Sequence, residues 1–277
     1  MLVKGTLYIV STPIGNLEDI TLRALRILKE VDVIAAEDTR HSRKLLTHYG
    51  ISKPLISYWG EREKIKSKEI LERLSSGQSV ALISDAGTPG ISDPGVVLIK
   101  RAIEENIHVI SIPGPSALIA ALSLSGLPTD QFIFAGFLPS KKSLRVKVLK
   151  ELSLELRTLV FYEAPHRILE TLTDMKDVFA ERRAVIVKEI TKIHEEAFRG
   201  TIPDILSNVE KTKIAGEYVI VIEERIMEKK TATEDVLSEV SALIKKGLSR
   251  KDSVRKVARI YGLSKKELYD KSLRETP

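Results

Sequence analysis

The chain has 277 residues, 43% of them hydrophobic and 30% charged, with a formal net charge of +6. That length exceeds one typical domain and sets an expectation of two. The absence of cysteine excludes disulfides and thiolate chemistry. No run of eighteen apolar residues marks a membrane span. The five histidines show no pair at metal-ligand spacing, so neither a membrane nor a metal is an expected partner.

The elements alternate from the start. Thr6 to Ser11 reads as a buried strand that runs into a Pro13–Asn16 loop. Asp19 is positioned to cap a helix with Leu22, Leu25 and Leu28 on one face. Val31 to Ala36 is a second strand, ending in Glu37-Asp38-Thr39-Arg40, and a helix follows that stops at Gly50. Pro54 to Tyr58 is a third strand, Ile65 to Leu74 a helix, and Val80 to Ile83 and His108 to Ile112 two more strands around a helical Val96–Asn106. This alternation predicts a parallel sheet covered on both faces, with polar loops collected at its carboxyl rim. No charged-then-apolar leader precedes the first strand, so a cytoplasmic location is expected.

A second set begins at Ser116 with an Ala/Leu-rich helix to Leu124. Phe132–Phe137, Thr158–Tyr162, Ala184–Ile190 and Tyr218–Ile222 read as strands, with helices near 145–152, 168–178 and 203–209. The expected organisation is α/β: one α/β domain over 1–115, another over 116–225, and a small helical domain over 233–277. The charged segment Glu223–Thr233 is the expected linker. In the tail, Ser249–Asp252 and Ser264–Glu267 both fit the capping box, and Tyr261-Gly262-Leu263 makes a tight turn, the pattern of a helix-turn-helix unit or of a plain three-helix appendage. Residues 226–277 hold thirteen Lys/Arg against eight Asp/Glu, a net +5, which suits nucleic acid or a solvated helical surface.

The loop from Ile83 to Gly95, ISDAGTPGISDPG, follows a strand and carries three glycines and two prolines. It lacks the lysine of a phosphate-binding P-loop and the G-x-G-x-x-G of dinucleotide folds. Asp85 and Asp93 make it a poor phosphate cradle and a suitable one for a neutral or cationic ligand; a turn-rich connection with no ligand is the plain alternative.

The order of loops carries a resemblance. STPIGN, AEDTRHSRKLL, SDAGTPGISDPG, PGPSALIAAL, GLPTDQFIFAGFLP, LVFYEAPHR, EITKIHEE with FRGT, and GEYVIVIE occur in the sequence seen in the tetrapyrrole (corrin/porphyrin) methylase superfamily. The chain is similar in particular to the bacterial branch that methylates the ribose 2′-hydroxyl of a decoding-centre cytidine in 16S ribosomal RNA. The match covers about residues 4–224, and the basic tail resembles that branch's C-terminal helices. The resemblance implies two α/β domains with S-adenosylmethionine in the cleft between them, a homodimer, no metal, and 16S rRNA or the small ribosomal subunit as partner. It implies cofactor contacts from Pro13, Gly87, Thr88, Ile91, Ser116 and Ala117, with Tyr162 and Tyr218 closing the pocket. One stretch departs from the family: Trp59-Gly60-Glu61-Arg62-Glu63 stands where members often carry a His-Glu-His-Asn-Glu-like run, so no histidine role transfers there.

Methyl transfer to a hydroxyl needs in-line positioning and a proton acceptor. Asp38, His41, Asp85, Glu163 and His166 are the rim candidates, with Asp85, Glu163 and His166 the catalytic choices. Each has a structural alternative: Asp85 as a turn cap, Glu163 as partner of Arg167 four residues on, His41 as a surface residue. Arg40, Arg43, Lys44, Arg167 and Lys188 are candidates for RNA phosphates. Two other classes fit part of the sequence. A tetrapyrrole or small-molecule methylase explains the loop but leaves the tail unused; a non-enzymatic nucleic-acid-binding regulator explains the tail but not the rim loops.

Overall fold

The computed structural model describes residues 4–60, 63–179, 181–225 and 234–274. Glu61 and Arg62 of the departing stretch, and residues 226–233 of the expected linker, lie outside the described residues. The chain divides into two compact units, residues 1–224 and 225–277.

The first sheet contains β1 (Thr6–Val10), β2 (Val33–Ala36), β3 (Leu55–Ser57), β4 (Val80–Ile83) and β5 (His108–Ile112) in the order β3-β2-β4-β1-β5, all pairs parallel. Both faces are covered, which is why β4 reads as an unbroken apolar run. Val80 and Leu82 pack with Leu98 and Ala102 of α4 (Val96–Glu104) and Ile70 and Leu74 of α3 (Glu63–Ser75). Ala81 and Ile83 face the opposite core, with Ala24, Ile27 and Leu28 of α1 (Leu22–Glu30) and Leu46 of α2 (Thr39–His48). The cap of α1 is Thr21, whose hydroxyl accepts from Ala24 N at 3.1 Å; Asp19 lies in a preceding 3₁₀ turn. Leu22 is 86% exposed, whereas Leu28 is buried and Leu25 packs against the same core, so the buried face is Ala24, Leu25, Ile27 and Leu28. The leucine spacing misled at Leu22 because the helix begins two residues later than an Asp19 cap requires.

The second sheet is mixed, in the order β6-β7-β10-β8-β9, from β6 (Phe132–Phe137), β7 (Thr158–Glu163), β8 (Arg183–Lys188), β9 (Glu196–Thr201) and β10 (Tyr218–Ile222). Only β6 and β7 run parallel. β9 escapes a hydrophobicity reading because it is a polar, largely exposed edge strand, EAFRGT. One face of this sheet packs on α6 (Lys142–Leu152), α7 (Ile168–Phe179) and α8 (Ile202–Val209) through Leu159, Phe161, Ile186 and Ile220. The other face, Val160, Val185, Val187, Val219 and Val221, packs on Ala121 and Leu122 of α5 (Ala117–Ser125) and on Ile14 and Ala86 from the first domain's loops. That shared core brings the carboxyl rim of the first sheet against the second sheet.

Residues 225–277 hold α9 (Glu234–Lys245), α10 (Arg250–Tyr261) and α11 (Lys265–Arg274) around Val236, Leu237, Val240, Val254, Val257 and Leu268. Ser249 caps α10 by accepting from Asp252 N at 3.1 Å, and Gly262 ends it in the left-handed region at φ +64°.

Candidate active site between the two sheets

Loop residues of the first sheet are wired to one another. Thr12 and Gly87 exchange both backbone hydrogen bonds, at 2.9 and 3.0 Å, tying the end of β1 to the loop after β4. Thr12 Oγ1 donates to the Ser84 carbonyl at 3.1 Å, and the Ser11 and Thr88 hydroxyls are 2.8 Å apart. Gly87 sits at φ +77°, where a Cβ would meet Ile14 Cγ2 at an ordinary 3.5 Å. Backbone conformation, more than crowding at Cβ, is what demands glycine there.

A cleft of about 410 Å³ opens between these loops and the second sheet. Gly87, Thr88, Ile91, Ser116, Ala117, Tyr162 and Tyr218 all line it. Pro13 does not: it is buried, and its neighbour Ile14 forms the wall instead. Ser116 caps α5, and the Tyr162 hydroxyl accepts from Leu118 N at 3.1 Å, so this tyrosine latches β7 to α5 as well as walling the cleft. Its ring stacks edge-on against Phe134 at 4.9 Å and Phe137 at 5.7 Å.

Among the described residues, five carboxylates line the cleft, Glu37, Asp85, Asp93, Glu163 and Glu217, and no Lys, Arg or His does. Burial, then the neighbouring charge of Glu37, pushes Asp93 up to about 6. Burial also raises Glu37, helped by the charges of Asp85 and Asp38. Asp85 is half-buried at the junction: its Oδ1 accepts from Asp38 N at 3.1 Å, and its own amide donates to Glu37 Oε2 at 3.3 Å. Outside the cleft, the Arg40 guanidinium and amide hold Asp38 down at about 2.

The structure corrects two of the three catalytic choices. Glu163 lines the cleft wall but is spent: Oε1 accepts from Ala164 N at 2.8 Å and Arg167 Nη2 at 2.5 Å, and Oε2 from Thr171 Oγ1 at 2.6 Å. Both of its oxygens are thereby occupied by donors of the protein itself. His166 is exposed on a 3₁₀ turn and does not line the cleft. Among the RNA candidates, Arg167 is committed to Glu163 and the Leu138 carbonyl. Lys188 is 6% exposed and donates to Glu196 at 3.2 Å and the Lys213 carbonyl at 2.9 Å. Neither is placed to meet phosphates. Arg40, Arg43 and Lys44 are exposed along α2. Sequence reasoning missed Glu37, Glu217 and Phe137, and noted Asp93 without giving it a role; the available signal was position, since Glu37 follows β2 directly and Glu217 precedes β10.

An acidic cleft with no lysine among its described lining residues suits a ligand that brings positive charge and no phosphate. With a doubly wound parallel domain facing a mixed sheet, this defines a two-domain α/β protein that holds a small ligand between its sheets. Residues 6–206 match the family described as Tetrapyrrole (Corrin/Porphyrin) Methylases, and the chain belongs to that family. It is 46% identical over 272 residues to "Ribosomal RNA small subunit methyltransferase I" of Synechocystis sp., covering 97% of this chain and 98% of that protein. A protein of the same name from Thermotoga maritima is 50% identical over 218 residues, 79% of this chain and 98% of that one. The uroporphyrin-III C-methyl transferase of Thermus thermophilus complexed with S-adenyl homocysteine shares the fold at TM-score 0.55 and 18% identity, over 78% of this chain and 97% of that one.

Proposed function

We propose that the cleft binds S-adenosylmethionine and that the protein transfers its methyl to the ribose 2′-hydroxyl of a decoding-centre cytidine in 16S rRNA. The carrying observation is the pair of desolvated carboxylates Asp93 and Glu37 in a cleft that no Lys, Arg or His lines among the described residues. S-adenosylmethionine supplies an electrophilic methyl on a sulfonium cation. Asp93 and Glu37, both desolvated by burial, favour such a cation, whereas they would repel a nucleotide phosphate.

Asp85 is the chain's candidate for taking the hydroxyl proton. It lines the cleft at its rim, and one oxygen is fixed by Asp38 N, which orients the carboxylate without exhausting it. The acceptor class rests on the relatives' name, at 46% and 50% identity. Exposed Arg40, Arg43 and Lys44 on α2, and the net +5 of residues 226–277, supply cations for RNA phosphates. The reading includes a homodimer in the cytoplasm and no metal. Purified protein given methyl-labelled S-adenosylmethionine should label small ribosomal subunits or their RNA. Labelling of uroporphyrinogen instead would transfer the same cleft to a small-molecule methylase.

A further inference from the structure

The stretch that departs from the family ends β3 with a large aromatic at the rim. Trp59 is the chain's only tryptophan and is 38% exposed. Its place is fixed by ladder register. β2 and β3 pair Ala36 with Ser57, and Tyr58 N donates to the Ala36 carbonyl at 2.7 Å, so Trp59 follows at the carboxyl rim, after the strand next to the one that leads into Glu37 and Asp38. Asp38 N in turn donates to Asp85 Oδ1 at 3.1 Å. The ends of β3, β2 and β4, which lead into Trp59, Asp38 and Asp85, therefore stand in that order along the carboxyl rim. At the usual strand spacing, the ends of β3 and β4 are roughly 10 Å apart.

The same rim carries cations. Asp38 caps α2 and holds Arg40 through Nη2 at 2.9 Å, leaving an Arg40 side chain that is 89% exposed. Arg43 and Lys44 continue on the same helix, where Thr39, Arg40, Arg43, Lys44 and Thr47 line a shallow concavity. On the other side, Glu63 accepts from Gly95 N at 2.7 Å and pins the start of α3 to the end of the loop that walls the cleft. An exposed indole on the same rim as a basic helix and an acidic cleft matches how single-stranded RNA is held: backbone on cations, unstacked base on an aromatic face.

We infer that Trp59 is a positioning residue: a stacking platform for an unpaired base of the RNA acceptor, adjacent to the nucleotide whose ribose enters the cleft. This rests on the proposed RNA substrate and adds its binding register. Because the protein has one tryptophan, its emission reports this site alone when tyrosine is not excited. The full chain is titrated with single-stranded oligocytidylate and with duplex RNA of equal length. Single-stranded RNA should quench the emission and shield it from iodide; duplex should do so much less. Trp59→Ala should raise KM for small subunits by about 5- to 100-fold, from the usual worth of one stacked base. Turnover at saturation and cofactor Kd should stay within about twofold, Tm should be unchanged, and Trp59→Phe should restore most of the affinity. RNA that binds by anisotropy without changing emission or iodide access overturns the inference, as does an unchanged KM in Trp59→Ala. Emission that follows protein concentration rather than RNA would assign Trp59 to contact between copies and equally overturn it. If the wild type labels no ribosomal RNA, the proposed acceptor fails, and the fluorescence titration still decides whether Trp59 stacks bases.

Discussion

Taking the pH from 7 to 5 carries Asp93 through its value of about 6 and removes one negative charge from the cleft. The free protein holds this proton unusually tightly. The group's contribution to folding stability is therefore complete below the ordinary 3.8 and is lost as pH rises through about 6. A sulfonium in the cleft reverses the balance, because it favours the carboxylate. If the bound cation returns Asp93 to its ordinary 3.8, the coupling is about 2 pK units, or roughly 3 kcal/mol at most. Linkage then makes S-adenosylmethionine bind about tenfold tighter at pH 7 than at pH 5. S-adenosylhomocysteine shares the adenosine, amine and carboxylate but has a neutral sulfur. Calorimetry with both ligands across this range isolates the sulfonium, since histidines and the common groups cancel in the ratio. The ratio should climb with pH and flatten in Asp93→Asn. Equal pH profiles for the two ligands, or a ratio that falls with pH, would refute the electrostatic reasoning.

Asp85→Asn keeps an oxygen for the Asp38 amide but loses the base, so turnover should fall about 10²–10⁴-fold with cofactor Kd nearly unchanged, measured by single-turnover kinetics and calorimetry. Arg145, 1% exposed and bonded to Asp174 at 2.7 Å, anchors α6 to α7; Arg145→Ala leaves Asp174 buried beside a single exposed lysine and should cost about 3–5 kcal/mol in denaturant unfolding. Removing residues 225–277 should spare cofactor binding, because the cleft lies within residues 1–224, and should flatten the salt dependence of RNA affinity.

The parallel sheet was legible because strands buried on both faces show themselves as apolar runs such as Val80–Ile83, and because the rim loops punctuate them with glycine and proline. The polar edge strand β9 was not, since only partner strand β8 tells it from a loop. At the site, Tyr162 and the Thr88 loop follow from motif order. The fates of Glu163 and Lys188 do not: a carboxylate and an ammonium look available in sequence until Arg167, Thr171 and Glu196 are seen to occupy them. The corresponding gain, Glu37 and Asp93 facing one cavity, needs β2 and β4 to be neighbours, a crossover that local pattern does not encode.

The central claim is that a cationic methyl donor in this cleft is spent on a ribose oxygen. The most direct test is nucleoside analysis of small-subunit RNA after reaction with labelled S-adenosylmethionine, by alkaline digestion and mass spectrometry. A 2′-O-methylcytidine should appear within a dinucleotide that resists alkali, because the 2′-oxygen that attacks the neighbouring phosphate is blocked. A methyl on a base, released as an alkali-labile mononucleotide, would contradict the account while leaving the fold and the family intact.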